Sequence, residues 1–347
     1  MDIFIWMYVL LIAVGLISSA SNSKATRNFA WLTGFLILWG IQAVRDVEVG
    51  NDLVAYLEYF DHAGDSYWNL EPGFQLYNRF INHNITTDPN AFLAIISFCT
   101  LLPISLLFRK YSKSVILSYI IFASFILYHF TFSGIRQGLA LGIIAVSYFF
   151  LTERRPIWFI ATVLLASAVH ASAIIFLIAY PLCNNIDMTN KKYAGAFIIG
   201  IFAVCSLSFF LPSIISMIFG GEKYLGYIEG DAVPAYNLLI LLFLFFLMTF
   251  LAKEPSKSLS NYRIMIFMAV FCQSLGLISQ EATRIGYYFL LFLPLAIPET
   301  ISNMAVSKIN RQLLTIGIVA FMIFFFFYVN GAGYLKVIPY HFYWERM

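Results

Sequence analysis

Three arginines stand at the ends of long apolar stretches, where a charge is costly and is usually retained for function. Arg45, Arg136 and Arg284 each border such a stretch, and a guanidinium fork binds phosphate oxygens in pairs. Arg136 also follows Ser133 and a glycine at the predicted start of a helix, where free backbone N–H groups attract anions. Together they predict a pyrophosphate site. The alternative is that each arginine reaches lipid headgroups or pairs with a nearby acid.

Carboxylates and a histidine supply candidate proton acceptors for the same chemistry. Asp52 and Glu71 lie in the polar segment 45–90, which mixes acids with aromatic residues. His170 lies between two short apolar segments, and its ordinary pKa of about 6.5 suits a general base. A structural role for His170 and an interfacial role for the segment are the alternatives. With no P-loop, Asp-x-Asp motif or metal-ligand spacing, the sequence predicts no metal and no cofactor.

The composition indicates what kind of structural elements must position these residues. The 347 residues are 61% apolar and only 11% charged, and the mean hydropathy is +0.82, whereas soluble domains carry about 25% charged residues. This excludes a soluble enzyme, a secreted disulfide scaffold and a disordered chain. A net charge of +3 gives no indication of a nucleic-acid partner. The sequence therefore predicts an all-α polytopic membrane protein.

A membrane-spanning helix needs about 20 mostly apolar residues, and hydropathy predicts about twelve such helices in one integral membrane domain, 1–347. Two of these segments are short and meet at His170, where they form a broken pair that either crosses fully or re-enters. The predicted spans are 3–20, 28–44, 91–108, 114–131, 137–151, 157–169, 171–183, 194–212, 235–252, 262–280, 285–300 and 312–330.

Lysine and arginine near span ends predict the orientation. Fourteen of the 21 fall in one set of loops, which is therefore expected to be cytoplasmic. We then expect the outward face to carry both termini, the large loop 45–90 and a second loop, 213–234. Two short amphipathic helices are predicted in the large loop, at 53–60 and 74–81, with Asn51 or Asp52 as the cap of the first.

Four motifs, in order, resemble the EpsG family over residues 28–185. The family commonly has threonine where this chain has Asn51, but the neighbouring Asp52 is kept. The motifs are Arg45 with Val49-Gly50-Asn51-Asp52 and Tyr56; Glu71-Pro72-Gly73-Phe74 with Asn78; Ser133-Gly134-Ile135-Arg136-Gln137-Gly138-Leu139-Ala140; and Ala166-Ser167-Ala168-Val169-His170-Ala171-Ser172.

The resemblance implies a Wzy-like polysaccharide polymerase of the bacterial inner membrane, with GT-C-like architecture. Such a glycosyltransferase moves an oligosaccharide repeat from undecaprenyl pyrophosphate to the non-reducing end of an acceptor repeat, at the outer face. The implied partners are this lipid-linked oligosaccharide, the bilayer, and chain-length regulator and flippase proteins. A flippase for the same lipid and a membrane O-acyltransferase remain the alternatives. The implied site is Asp52, Glu71 and His170 as catalytic residues, Arg136, Arg284 and Arg45 as pyrophosphate ligands, and Ser133, Gln137, Asn78 and Ser172 as supporting residues.

The predicted orientation is testable by labelling single cysteines with a membrane-impermeant reagent, on a background without native cysteines. A cysteine in the 45–90 loop should label from outside the cell, and Lys191→Cys should label only after the membrane is opened. Labelling of position 191 from outside would contradict the two-short-helix interpretation and favour the alternative, one long helix through 157–183 that reverses the orientation of all later segments.

Overall fold

The computed structural model describes residues 2–21, 23–62, 70–189, 195, 236–252, 256–275, 280–331, 333 and 335–346. Within these residues the chain is helical and has isolated bridges but no strand, which confirms the all-α prediction. The predicted loop 213–234, nearly all of the predicted span 194–212, and Lys191 lie outside the described residues.

The helices are numbered in chain order. The described residues also include 3-10 helix at Ala171–Ile178 and Tyr343–Arg346. The α-helices are α1 (Asp2–Ser19), α2 (Lys24–Ala43), α3 (Leu53–Asp61), α4 (Pro72–Asn84), α5 (Pro89–Tyr111), α6 (Val115–Ser124), α7 (Leu127–Ser133), α8 (Ile135–Thr152), α9 (Pro156–Val169), α10 (Ala179–Asn185), α11 (Tyr236–Phe250), α12 (Lys257–Leu275), α13 (Gln280–Ile285), α14 (Tyr287–Leu290), α15 (Leu293–Ser302) and α16 (Lys308–Gly331).

The chain forms two compact units. The first comprises residues 1–174 and 312–347, and therefore contains α1 to α9 and most of α16. The second comprises residues 175–311 and contains α10 to α15. In the first unit α8 packs between α5 and α9, and α2 packs against α1 and α5.

Among the described residues, α5, α8 and α16 are each long and apolar enough to cross a membrane. Two bent helix pairs raise this number to five if each pair is one span. The molecule is thus built as a polytopic membrane protein. Twelve spans and a GT-C-like arrangement stay predictions.

Two predicted spans are bent. Segment 114–131 divides into α6 and α7 at an angle of 53°, because Ile126 adopts a φ of 39° that an α-helix cannot continue through. Segment 285–300 bends by 45° before α15. There Pro294 stands in the first turn of α15, where its missing N–H and its ring end the preceding helical hydrogen bonding.

The predicted break at His170 is confirmed. Helix α9 ends at Val169, and His170 is extended, with φ −149° and ψ 112°. The chain then continues as a 3-10 helix rather than an α-helix. The two loop helices are also confirmed, as α3 and α4. Asp52 occupies the N-cap position of α3, but its side chain makes no capping hydrogen bond.

Helix α4 begins directly against the end of α9. A Cβ added to Gly73 would lie 2.6 Å from the carbonyl oxygen of Ala168, a distance that real Cβ atoms do not tolerate. Only glycine allows this approach of two backbones. The contact fixes the start of α4 beside the residues that lead into His170.

Gly73→Ala should therefore destabilise the protein by about 1–3 kcal/mol, because the added methyl group forces α4 away from α9. The matched control is Gly40→Ala in α2, where no atom lies within 4 Å of an added Cβ; this change should be neutral or slightly stabilising. The thermal unfolding midpoints of the two purified variants test this. Equal midpoints would contradict the close-approach argument.

Candidate functional site

The carboxylate of Glu71 connects three motifs that are far apart in the sequence. Its Oε2 accepts a hydrogen bond from Nη1 of Arg136 at 2.6 Å. Its Oε1 accepts one from the backbone N–H of Ala171 at 2.9 Å and lies 3.3 Å from Nδ1 of His170. We call these three side chains, Glu71, Arg136 and His170, the Glu71 cluster.

Each side chain of the Glu71 cluster lies at the end of a helix. Glu71 holds the N-cap position of α4, and Pro72 follows it in the first turn, where the missing N–H of proline costs nothing. Arg136 is the second residue of α8, after Gly134 at the N-cap. His170 follows the last residue of α9. Helix ends expose backbone N–H groups and carbonyls, and these add to the polarity of the cluster although α8 and α9 are apolar.

The loop before α3 is held against the start of α8. Gly50 has a φ of +130°, and a Cβ there would lie 2.5 Å from the carbonyl oxygen of Phe132, so the position requires glycine. The backbone N–H of Asn51 donates to Oγ of Ser133 at 3.0 Å. The hydroxyl of Ser133 donates in turn to the carbonyl of Leu335 at 3.4 Å. These contacts place the first turn of α3 beside Arg136.

Tyr56, in that first turn, belongs to the same site. Burial raises the pKa of its phenol, the positive charge of Arg136 lowers it, and Asp52 raises it again; the net pKa lies above the ordinary value. A hydrogen bond from the Arg136 guanidinium to the phenol oxygen also contributes. Tyr56 therefore stays protonated at neutral pH, with its O–H available as a donor.

Glu71 stays ionised. Burial alone raises the pKa of its carboxyl, but the N–H of Ala171 and the charges of Arg136 and His170 lower it, so the net pKa lies below the ordinary value of 4.5. The stabilisation from this carboxylate is thus present above pH 4.5 and is lost as the pH falls through the depressed pKa. At neutral pH Glu71 is a charged acceptor for Arg136 and the Ala171 N–H, and it lies within ion-pair distance of His170.

Arg136 retains binding capacity. Its side chain is 21% exposed, so a ligand can reach it. Its Nε is buried and has no hydrogen-bond partner among the described residues. The exposed part of the side chain leaves room for a further anionic oxygen while Glu71 holds Nη1.

Arg45 and Arg284 are the other two arginines of the predicted site. Arg45 is fully buried and donates to the carbonyl of Gln42 at 3.1 Å and to Oγ of Ser97 at 3.3 Å. Its guanidinium also lies 4.9 Å from the ring centre of Phe132. Arg284 lies in α13, within the second unit. The convergence of all three arginines on one pyrophosphate stays a prediction.

The remaining residues of the predicted site differ in their burial and in the elements that carry them. Asn78 is buried in α4 and donates from Nδ2 to the carbonyl of Phe74, at 2.7 Å. Gln137 is buried next to Arg136 in α8, and Ser172 lies in the 3-10 helix after His170. Asp52 is exposed. The roles predicted for these residues stay predictions.

Sequence reasoning missed the roles of Tyr56 and of the Ala171 N–H. From the sequence, Tyr56 is a member of the first motif, with no role assigned to it in the site. The available signal was its spacing of four residues from Asp52, which puts both on one face of a helix. No sequence pattern indicates a role for the Ala171 N–H, because this group becomes available only through the extended conformation of His170.

The helices and the cluster at their ends define a polytopic membrane protein with a polar site built from helix termini. The chain belongs to the EpsG family, whose model matches residues 28–342. The match includes every motif residue of the cluster. Membership implies, in general terms, a polysaccharide polymerase-like function. No curated protein and no solved structure matches the chain.

Glu71→Gln should lower polymer formation about 10²-fold or more, because Arg136 loses its charged hydrogen-bond acceptor and His170 loses the carboxylate that lies 3.3 Å from its Nδ1. The control is Glu58→Gln, which changes an exposed acid in neighbouring α3 and should leave the rate unchanged. Membrane yield and the length distribution of the glycan are the measurements. A Glu71→Gln protein with normal yield and normal glycan would remove Glu71 from the site.

Proposed function

We propose that the protein is a polysaccharide polymerase that uses a polyprenyl-diphosphate-linked oligosaccharide as its donor. It acts in the inner membrane of a bacterium, with both termini outside the cytoplasm, and extends the non-reducing end of an acceptor repeat. The donor lipid is undecaprenyl pyrophosphate. The proposal is supported by the family match and, above all, by the Glu71 cluster, which joins an anion-binding arginine to a histidine.

In the proposed reaction an acceptor hydroxyl attacks the anomeric carbon of the donor sugar. A new carbon–oxygen bond forms, and the bond from that carbon to the pyrophosphate oxygen breaks. Its electron pair leaves with the diphosphate, and the proton of the hydroxyl passes to a base on the protein. A diphosphate leaving group needs positive charge at its oxygens rather than an acid.

Arg136 supplies that charge in this scheme. It stands in the first turn of α8, where backbone N–H groups and the positive end of the helix dipole also favour an anion. Its partial exposure allows contact with the phosphate oxygens. The protonated Tyr56 beside it can donate a further hydrogen bond.

His170 takes the proton in this scheme. Asp52, Glu71 and His170 were equal candidates from sequence, but Glu71 already accepts hydrogen bonds from Arg136 and Ala171 and has a lowered pKa. A carboxylate in that state is a weak base, and it is suited to orienting an imidazole through Nδ1. Nε2 of His170 then receives the proton. Asp52 is left as a sugar-binding residue at the exposed start of α3.

Arg136 should be required for activity and not for folding. Arg136→Ala should reach the membrane at a normal level and be inactive; Arg136→Lys keeps the charge but loses the planar fork and should stay strongly impaired. Arg79→Ala, at an exposed position of α4, is the control and should be active. The assay is the ladder formed by purified protein from a lipid-pyrophosphate repeat, without nucleotide and with EDTA. A wild-type rate from Arg136→Ala would rule out the pyrophosphate role, and a strict need for divalent metal would rule out the metal-free scheme.

The glycan of a deletion strain distinguishes a polymerase from the two alternatives, a flippase and a membrane O-acyltransferase. A polymerase predicts single repeats attached to the acceptor lipid on the cell surface. A flippase predicts repeats that accumulate on the cytoplasmic side, and an acyltransferase predicts chains of normal length that lack the acyl group. Either of the last two results would overturn the proposal.

A further inference from the structure

Residues 335–346, which we call the strap, lie at the same end of the first unit as the Glu71 cluster. The backbone N–H of Asp46, in the loop before α3, donates to the carbonyl of His341 at 2.8 Å. The hydroxyl of Ser133, just before α8, donates to the carbonyl of Leu335 at 3.4 Å. The strap is therefore joined both to the loop that leads to Glu71 and to the helix start that carries Arg136.

Hydrogen bonds fix the strap against the end of α2. The phenol O–H of Tyr340 donates to the carbonyl of Ile41 at 2.7 Å, and the backbone N–H of Tyr343 donates to the carbonyl of Val44 at 3.2 Å. The carbonyls at the end of a helix have no partner within the helix, and the strap supplies one to these two. Its aromatic side chains are thus held in place before a ligand arrives, which lowers the entropic cost of binding.

Trp344 presents an open aromatic face on this strap. Its ring stacks on that of Phe342, with 4.6 Å between the ring centres and 13° between the planes, and the ring of Tyr343 packs nearly perpendicular to it at 4.9 Å. Trp344 is nevertheless 48% exposed. Because Phe342 covers one face of the indole, much of the exposed area belongs to the opposite face. The face of an aromatic ring carries partial negative charge and attracts the C–H groups of a ligand.

A carboxylate follows Trp344 in the 3-10 helix Tyr343–Arg346. Oε2 of Glu345 accepts a hydrogen bond from the backbone N–H of Phe342 at 3.0 Å and lies 3.5 Å from Nδ1 of His341. These contacts hold the carboxylate through Oε2, and its side chain is 46% exposed, which leaves Oε1 for a hydroxyl donor. A flat apolar face beside a fixed hydrogen-bond acceptor matches a sugar ring, which has C–H groups on its face and hydroxyls at its rim.

A second exposed tryptophan has different surroundings. Trp158 is 55% exposed and stacks on Phe150, at the opposite end of α9 from His170. Its charged neighbour is a cation, because the guanidinium of Arg155 lies 5.9 Å from its ring centre. Exposed aromatic rings with cations suit the anionic headgroups of a membrane surface. Anionic headgroups repel a carboxylate, so the surroundings of Trp344 favour an uncharged, hydroxyl-rich ligand instead.

We propose that Trp344 and Glu345 form a carbohydrate-binding subsite. The open face of the indole stacks on a pyranose ring, and the carboxylate accepts hydrogen bonds from the hydroxyls of that sugar. The inference rests on the proposed polymerase function, which identifies the ligand as the glycan that the protein extends. The subsite shares no residue with the Glu71 cluster. It holds the acceptor chain at a sugar other than the one that reacts.

Binding of glycan without turnover tests the subsite. The probe is a set of short oligosaccharide fragments cut from the surface polysaccharide of the producing strain. Isothermal titration calorimetry measures their affinity for the purified full-length protein, in detergent and without donor lipid. Trp344→Leu keeps an apolar side chain but loses the aromatic face, so it should weaken binding about tenfold. Trp344→Phe keeps an aromatic face and should bind nearly as wild type.

Two further variants complete the set. Glu345→Gln should weaken binding about threefold, because the amide oxygen still accepts a hydrogen bond but carries no charge. Trp158→Leu is the matched control, since it removes an exposed tryptophan that also stacks on a phenylalanine; it should leave the affinity unchanged.

Weaker binding by Trp344→Leu, with Trp344→Phe and Trp158→Leu unchanged, supports the subsite. Equal affinity of Trp344→Leu and wild type overturns it, as does an equal loss in Trp158→Leu, which would show a general effect of exposed tryptophan. The ladder assay separates this result from the polymerase proposal. A normal wild-type ladder with unchanged affinity in Trp344→Leu rejects the subsite alone. Fragment binding that requires Trp344, in a protein that makes no ladder, supports the subsite and rejects the polymerase reaction.

Discussion

The proposed site depends on the contacts that the carboxylate of Glu71 makes. It accepts a hydrogen bond from Arg136 and one from the N–H of Ala171, and it faces Nδ1 of His170. Hydrogen bonds to charged groups contribute about 1.5–3 kcal/mol each. Without the carboxylate, a partly buried guanidinium would lack its counter-charge and the end of α9 would lose an acceptor. The start of α4, the start of α8 and the end of α9 are therefore coupled through one side chain.

The backbone allows this contact because the start of α4, the start of α8 and the end of α9 lie next to one another. Gly73 lets α4 approach α9, and Gly50 lets the loop before α3 approach Phe132. The break at His170 turns the Ala171 N–H towards Glu71. Continuous spanning helices would have satisfied these polar groups internally. The interrupted helices leave them available for a ligand.

Much of the fold follows from the sequence, because hydropathy and helix start signals are local. Hydropathy predicts most of the described helices, Pro72 predicts the start of α4, and the short segments predict the break at His170. The bends were missed because they depend on the backbone angle at Ile126 and on the context of Pro294.

The cluster itself follows only in part from the sequence. Motif resemblance selects Glu71, Arg136 and His170, but Glu71 contacts the other two over 65 and 99 positions, which no local pattern contains. Arg45 shows the same limit, because its position at the end of an apolar stretch does not reveal that α2, α5 and α7 enclose it.

A double-mutant cycle between Glu71 and Arg136 tests the central claim most directly. The rates of polymer formation by Glu71→Gln, Arg136→Gln and the double variant would be compared with wild type, in purified protein at matched amounts. If the two side chains act as one unit, the double variant should be little worse than the more severe single variant, with a coupling energy towards the upper part of the range of about 0.5–3 kcal/mol found for contacting residues. Losses that simply multiply would show that the two residues act independently and would contradict the account.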